Sequence, residues 1–526
     1  MDLHELDTHL RNPATYPAAE GRPELIHTHC SVVALVGDEV FKVKREVRHA
    51  FLDFSTPELR LAAAREELRL NARLAKDTYL GLMALMPQPN GAARFEPFDA
   101  AQDPPAGAQA VAVHMRRLSA QYLLDRRLER GEVDHELLGA LARRLATFHK
   151  EAERGPHVDR AADPARLERL ALDNVEALEG GAKPALSPEL TAFLRHSTEG
   201  FFREHHTALA ARVARGCAVD GHGDLHAGNV WARGSQLVIY DALEFDADLR
   251  RADQGLDLAF LLMDLDLAGH RASAAWLARE YARLAKDPDL EVVMPGFKTY
   301  RALVRAKVAG LRAASAELDD GARDAARVAG TRYALLAASY HLPPALVLMC
   351  GLPASGKSWL GERVARLLGA TLHRSDIRRR EVAPAGADPS ATAARYSAEA
   401  KQRTYDALLA AARTDLDAGR SAVIDGSFIQ ARWRAPFVAL AAERGAPLVL
   451  LEPRISADVA RERLARRAQD PREPSEADWT VYQRLAGQYE APVELAPGQH
   501  VLWESGGPAE TATVAVVNAI TRQARG

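Results

Sequence analysis

Two rhythms of apolar positions divide the chain, and one gives way to the other near residue 345. Residues 26–43 alternate apolar and polar, break at Gly37-Asp38 and resume as Val40-Phe41-Lys42-Val43-Lys44, the pattern of two strands joined by a tight turn. Ser55-Thr56-Pro57 reads as a helix start with Pro57 near the first helical position, and apolar residues at helical spacing continue to Leu74. Residues 88–107 are rich in Pro, Gly and Ala and read as loop, whereas 110–115 form an apolar strand placed to act as a hinge into a second lobe. From Ser119 the period is helical, with segments at 119–149, 164–179 and 187–212. A short hairpin over residues 230–240 ends at Asp241, and helices then run from Asp253 to about Ser339.

After His341-Leu342-Pro343-Pro344, which reads as a linker, short apolar strands alternate with helices. The strands fall at 345–350, 371–373, 421–424, 447–451 and 500–503, which predicts an α/β domain with a parallel, doubly wound five-stranded sheet. A chain of 526 residues is too long for one core. Two or three domains are expected of that length, and the change of rhythm sets one over 1–340, with lobes meeting near residue 118, and another over 345–526.

Composition narrows the class. An apolar fraction of 47% with 26% charged residues is that of a soluble globular protein, and a net charge of −3 gives no global sign of nucleic-acid or membrane binding. Cys30, Cys217 and Cys350 are too few and too scattered for a disulfide framework or a zinc site. The polar start lacks the apolar core of a signal peptide, and no run approaches the roughly 20 apolar residues of a membrane span. The expectation is a cytoplasmic enzyme.

The chemistry of the first domain centres on His222–Val230, HGDLHAGNV. Asp224 and Asn229 have the spacing of a kinase catalytic loop, with a carboxylate for the acceptor hydroxyl and an amide that ligates Mg²⁺. Gly223 and Gly228 permit the sharp turns, and His222 and His226 read as packing residues. Asp241, ending an apolar strand about a dozen residues on, suits a second Mg²⁺ ligand. Glu244 and Asp246 are accessory ligands or substrate contacts, while Asp253 and Asp257 fit the first turn of a helix. Lys42 and Lys44 share a strand face, as a phosphate-binding lysine under a hairpin would, although an edge strand protected by lysines has the same pattern. Glu67, rather than Glu66, is the expected partner of that lysine.

In the second domain Gly351-Leu352-Pro353-Ala354-Ser355-Gly356-Lys357-Ser358 is a G-x-x-x-x-G-K-[ST] loop between a strand and a helix. Its N–H groups cradle phosphates, Lys357 reaches the β/γ oxygens and Ser358 ligates Mg²⁺. Asp425 closes a strand whose carboxyl end faces the crevice. Asp376, amid Arg374, Arg378, Arg379 and Arg380, is placed to accept a hydroxyl proton while an arginine grips an anion. Arg461, Arg463, Arg466, Arg467 and Arg472 form either a lid over ATP or a solvated helix face, with Ser456 and Ser475 as helix caps.

HGDLHAGNV with IYDALEFD resembles the aminoglycoside phosphotransferase and choline kinase superfamily over about residues 25–335. The resemblance implies an α+β, bilobal, protein-kinase-like fold, with Asp224 as base, Asn229 and Asp241 as Mg²⁺ ligands and Lys42 as phosphate lysine. HTHCSVVALVGD replaces the glycine-rich loop of that pattern. GLPASGKS, RSDIRR and VIDGSF resemble the small P-loop kinases grouped with polynucleotide kinase and zeta-toxin-like proteins, with Asp376 and Arg379 in a D-x-x-R pattern. Together they look like a fusion of an aminoglycoside phosphotransferase-like domain with an AAA-type ATP-binding domain. The implied cofactors are ATP or GTP and Mg²⁺.

Three functions follow. The first is a bifunctional phosphotransferase acting on hydroxyls of small molecules. In the second, one half is a nucleotide-binding sensor for the other, motivated by the missing glycine-rich loop. In the third the P-loop half phosphorylates 5′-hydroxyl nucleic-acid ends. The third ranks below a small metabolite because no aromatic residues interleave with the arginines and residues 345–526 carry a net charge of only about +3.

Overall fold

The alternating stretch at the start becomes half of an antiparallel sheet. In the computed structural model, which describes residues 2–17, 21–49, 52–180, 186–315, 318–382, 397–467 and 477–524, the first strands are β1 (Glu24–His27), β2 (Ser31–Val36) and β3 (Glu39–Lys44). They continue with β4 (Tyr79–Pro87), β5 (Ala93–Phe98) and β6 (Ala110–Arg116) into a six-stranded sheet ordered β1-β2-β3-β6-β4-β5. Lys42 stands between Val33 and Val113, and Lys44 opposite Ser31. Because side chains alternate, Phe41 and Val43 face one core with Val32, Phe95 and Tyr16, while Val40 joins Leu82, Val113 and Ala64 on the other side.

The helix Pro57–Ala75 covers that second side. Thr56 caps it by accepting from the Leu59 N–H at 3.3 Å, and Pro57 begins it where no N–H is required. Beyond β6 the polypeptide is mainly helical. Helices His135–Glu151, Gln254–Leu267 and Arg271–Ala285 pack together. Two small ladders frame the HGDLHAGNV stretch: β7 (Ala218–Asp220) pairs with β10 (Arg251–Asp253), and β8 (Val230–Arg233) with β9 (Gln236–Ile239). The fully buried Arg212 ties this region together through Asp253 at 2.7 Å and Asp287 at 2.6 Å. Removing one partner from such a buried group costs about 3–5 kcal/mol.

The second sheet is the expected parallel one. Strands β11 (Leu346–Met349), β12 (Thr371–Arg374), β13 (Ala422–Asp425), β14 (Leu448–Arg454) and β15 (His500–Glu504) lie in the order β12-β13-β11-β14-β15. Leu346 to Met349 are buried on both faces, as a central parallel strand requires. Leu360, Val364, Val516 and Ile520 fill one side, and Tyr405, Leu408, Phe437 and Leu440 the other.

Packing does not divide the chain where the rhythm changes. Met1–Leu167 and His205–Phe297 form one compact unit, Glu168–Glu204 and Lys298–Gly526 the other. Helix Asp320–Ser339 packs on helices Lys357–Leu368 and Ala509–Ala524, Arg332 pairs with Glu510 at 2.8 Å, and Asn518 donates to Ser187 Oγ at 2.8 Å. Periodicity reports that a helix has an apolar face, not which element covers it. Among the described residues no helix is long and apolar enough to cross a membrane.

Candidate active sites

In the first unit, strand, helix and hairpin bring five of the expected residues together. Lys42 Nζ donates to Glu67 Oε1 at 2.9 Å and to Asp241 Oδ1 at 2.8 Å. Lys44 donates to Glu67 Oε2 at 2.6 Å and to Glu244. Burial opposes the charge of Lys42, but the carboxylates of Asp241 and Glu67 outweigh it and hold the ammonium protonated. Burial likewise raises Asp241, and Lys42 overrides it to bring the carboxyl down to about 2. The two lysines thus separate: Lys44 is enclosed between carboxylates, whereas Lys42 alone reaches Asp241, whose side chain is 41% exposed. Glu66 points elsewhere, to Arg69 at 2.7 Å and Arg250 at 3.2 Å.

Asp241 has φ +62°, which costs a residue with a Cβ roughly 1–2 kcal/mol. Its N–H donates to Tyr79 Oη at 3.3 Å, and the next N–H, of Ala242, donates to Asn71 Oδ1 at 3.0 Å. Asn71 also donates to the Glu67 carbonyl at 2.8 Å, so the helix carrying Glu67 fixes the turn carrying Asp241.

The loop between β7 and β8 is held by its backbone. Asp257 accepts from the His222 N–H at 2.5 Å and the Gly223 N–H at 2.8 Å. Arg73 donates to the carbonyls of Asp220 at 2.8 Å and Gly221 at 2.7 Å. Asp264 accepts from the Ala227 N–H at 2.9 Å. Gly223 is required, since its φ is +81° and a Cβ would lie 2.9 Å from Leu243 Cβ. Burial lowers the pKa of His222, and its ring bridges Tyr240 O at 3.0 Å and the Asp224 N–H at 3.3 Å. Asn229 Nδ2 donates to the Asp224 carbonyl at 3.0 Å and its Oδ2 at 3.4 Å, which leaves the Asn229 side-chain oxygen for a cation.

In the second unit the loop after β11 takes positive φ at Gly351, Ala354 and Gly356. Lys357 Nζ donates to Leu352 O at 2.7 Å and Ser358 Oγ to Asp425 Oδ2 at 2.6 Å. Burial lowers the pKa of Lys357 and raises that of Asp425. Among the described residues, the buried Ser355 Oγ has no hydrogen-bond partner. Pro353, Lys357 and Ser358 line a cavity of about 1010 Å³ with Asp376, Arg379 and Arg467. Arg379 pairs with Asp376 at 3.0 Å. Arg463 donates to Ala354 O at 3.2 Å and Ser505 Oγ at 3.1 Å, against the P-loop rather than into solvent.

Both donor sets fit Mg²⁺. They offer hard oxygens, Asn229 with Asp241 in one unit and Ser358 with Asp425 in the other. Among the described residues no three His, Cys, Asp or Glu side chains gather into a metal-holding group.

Other expected residues have structural duties. Glu244 is the partner of Lys44, and Asp246 caps a helical turn by accepting from the Asp248 N–H at 2.9 Å. At the end of the helix expected over 119–149, His149 is buried against Tyr281 Oη at 2.7 Å. Arg461 lies over Trp479, and Asp478 itself caps the helix Trp479–Ala486. Arg472 and Ser475 lie outside the described residues. Sequence reasoning missed Asn71, Arg73 and the loop-holding role of Asp257. Only the recurrence of Glu67, Asn71 and Leu74 on one helical face hinted at the first.

A family model described as an AAA domain matches residues 346–492. The chain is 30% identical over 496 residues to the uncharacterized protein Rv2004c of Mycobacterium tuberculosis, covering 91% of this chain and 95% of that one. Among solved structures, a choline/ethanolamine kinase family protein from Mesorhizobium loti is similar at 14% identity, over 63% of this chain and 98% of that one, with a TM-score of 0.37. A sugar kinase from a Janibacter species is similar at 20% identity, over 34% of this chain and 95% of that one, with a TM-score of 0.27.

Proposed function

We propose that this chain, which belongs to the same family as the mycobacterial protein Rv2004c, is an ATP- and Mg²⁺-dependent phosphotransferase with two active sites, each moving a γ-phosphoryl group to a hydroxyl of a small molecule. The kinase-like part runs to about residue 340 and the P-loop part from 345. One observation supports the reading: each unit gathers a lysine, oxygen-bearing side chains and a further carboxylate, with Lys42 at Asp241 and Asn229 at Asp224 in the first and Ser358 at Asp425 and Arg379 at Asp376 beside Lys357 in the second.

In the first site Lys42, fixed by Glu67, draws the nucleotide's phosphate oxygens. Asp224 accepts the hydroxyl proton as the acceptor oxygen bonds to the γ-phosphorus, the bond to the β–γ bridging oxygen breaks, and the diphosphate leaves with the electron pair. In the second site the P-loop N–H groups and Lys357 hold the phosphates, Asp376 takes the proton, and Arg463 and Arg467 border the nucleotide. Asn229 and Asp241, or Ser358 and Asp425, would hold Mg²⁺, which when bound neutralises charge on the phosphate oxygens. Catalysis is then mainly positioning and charge stabilisation.

The proton-acceptor role is tested by Asp376→Ala in the full chain. Nucleotide affinity should hold while acceptor-dependent ADP release from the second site falls by about 10²-fold or more. Undiminished release with every accepted alcohol removes Asp376 from the reaction.

A further inference from the structure

Among the cations on the wall of the second unit's cavity that the phosphotransfer reading leaves idle are Lys401 and Arg484. Lys401 projects from the start of helix Ala398–Asp417, and Arg484 from helix Trp479–Ala486. The Lys401 ammonium lies 4.8 Å from the centre of the Trp433 ring, and among the described residues it has no carboxylate partner. Burial lowers its pKa most, and the positive Arg432, Arg379 and Arg484 lower it further, to about 8. The nearby carboxylate of Asp376 is already engaged by Arg379 at 3.0 Å. Among the described residues, half-buried Lys401 and Arg379 and exposed Arg484 face this part of the cavity with Asp376, while Asp425 lies at the P-loop end, so basic groups outnumber carboxylates on the wall and a bound anion would find favourable charge there.

We propose that Lys401, Arg379 and Arg484 form a subsite for an anionic group, a phosphate or carboxylate, on the small alcohol that this site phosphorylates, setting its hydroxyl beside Asp376. This rests on the phosphotransferase reading and adds the acceptor's chemical class to it. A guanidinium matches either anion with paired N–H donors, and an ammonium adds a point charge. The part of the wall around Lys401 does not suit a nucleobase, while Trp359, 46% exposed, lines the cavity elsewhere with Arg363 over its ring at 3.7 Å. Trp433 and Tyr405 are buried, and Lys401 and Arg432 both lie over the Trp433 ring, so those aromatics offer no open face for stacking.

The test uses full-length protein carrying Asp224→Ala, so that turnover comes from the second unit. ADP release is measured with matched acceptors: sugar phosphates and sugar acids against the parent sugars, and 5′-hydroxyl oligonucleotides as a third arm. Release should be confined to anionic small alcohols, the preferred arm separating phosphate from carboxylate. Lys401→Ala and Arg484→Ala should each raise the acceptor KM about tenfold or more, with the KM for ATP little changed. Equal turnover of the parent sugars, an unchanged acceptor KM, or preference for oligonucleotides overturns the proposal.

A second readout needs no turnover. With MgADP bound, acetylation of Lys401 is followed by mass spectrometry, with inorganic phosphate or citrate as the probe. Either anion should protect Lys401 in the parent protein and not in Arg484→Ala. Protection without any acceptor-dependent release leaves the subsite standing and removes the kinase reading. Turnover of neutral alcohols without protection does the reverse.

Discussion

Lys42 and Lys44 share a strand face and a carboxylate, yet they do different work. Lys44→Met would leave Glu244 buried without its cation while Glu67 keeps Lys42, and a destabilisation of about 3–5 kcal/mol is expected in calorimetry. Lys42→Ala leaves Glu67 still paired with Lys44, so it should unfold close to wild type while first-site turnover falls about 10²-fold or more. A Lys44→Met protein with wild-type stability contradicts this division of labour. Glu452 gives a pH-dependent counterpart in the second unit. Burial alone would raise its carboxyl, but His500, Arg454 and Tyr489 outweigh burial and bring it to about 2, below the ordinary 4.5. A depressed carboxylate contributes stability that is complete above its ordinary value and lost as pH falls through the folded one. Tryptophan fluorescence should therefore show the second unit weakening from about pH 4.5 towards 2, and Glu452→Gln should flatten that slope.

At the scale of elements, the first site is assembled by two helices that contribute no expected nucleophile or base. Helix Pro57–Ala75 supplies Glu67, Asn71 and Arg73, and helix Gln254–Leu267 supplies Asp257 and Asp264. Asp257→Asn retains the volume but replaces one acceptor of two loop N–H groups with a donor. First-site kcat should fall about 10–100-fold with nucleotide affinity nearly unchanged, because the loop loses register rather than a phosphate contact. A change in nucleotide affinity alone would place Asp257 outside this role. The sequence announced this helix by its acidic first turn, a feature common to helices in general. That two of its carboxylates point back at HGDLHAGNV depends on tertiary packing, which no local pattern encodes.

For the whole molecule, legibility followed contiguity along the chain. The P-loop is a strand, a turn and a helix in immediate succession, so Gly351 to Ser358 could be read as one object. HGDLHAGNV was equally compact. Lys42 meets Glu67 across 25 positions and Asp241 across 199, and only the chemistry expected of a kinase linked those segments in advance. Lys401 and Arg484 carried no signal because neither sits in a motif; the cavity groups them. The division into compact units was also hidden, since Glu168–Glu204 and the helices after Lys298 have ordinary amphipathic patterns and pack with the P-loop sheet.

The central claim is that two independent transfer sites share one chain, and ADP release by wild type, Asp224→Ala and Lys357→Ala tests it most directly. The three proteins are compared against one library of sugars, sugar phosphates, amino alcohols, nucleosides and oligonucleotide ends. Two sets of accepted alcohols are expected, one lost in Asp224→Ala and the other in Lys357→Ala, each variant sparing the set that the other loses. Full activity of both variants on every accepted alcohol would contradict the account.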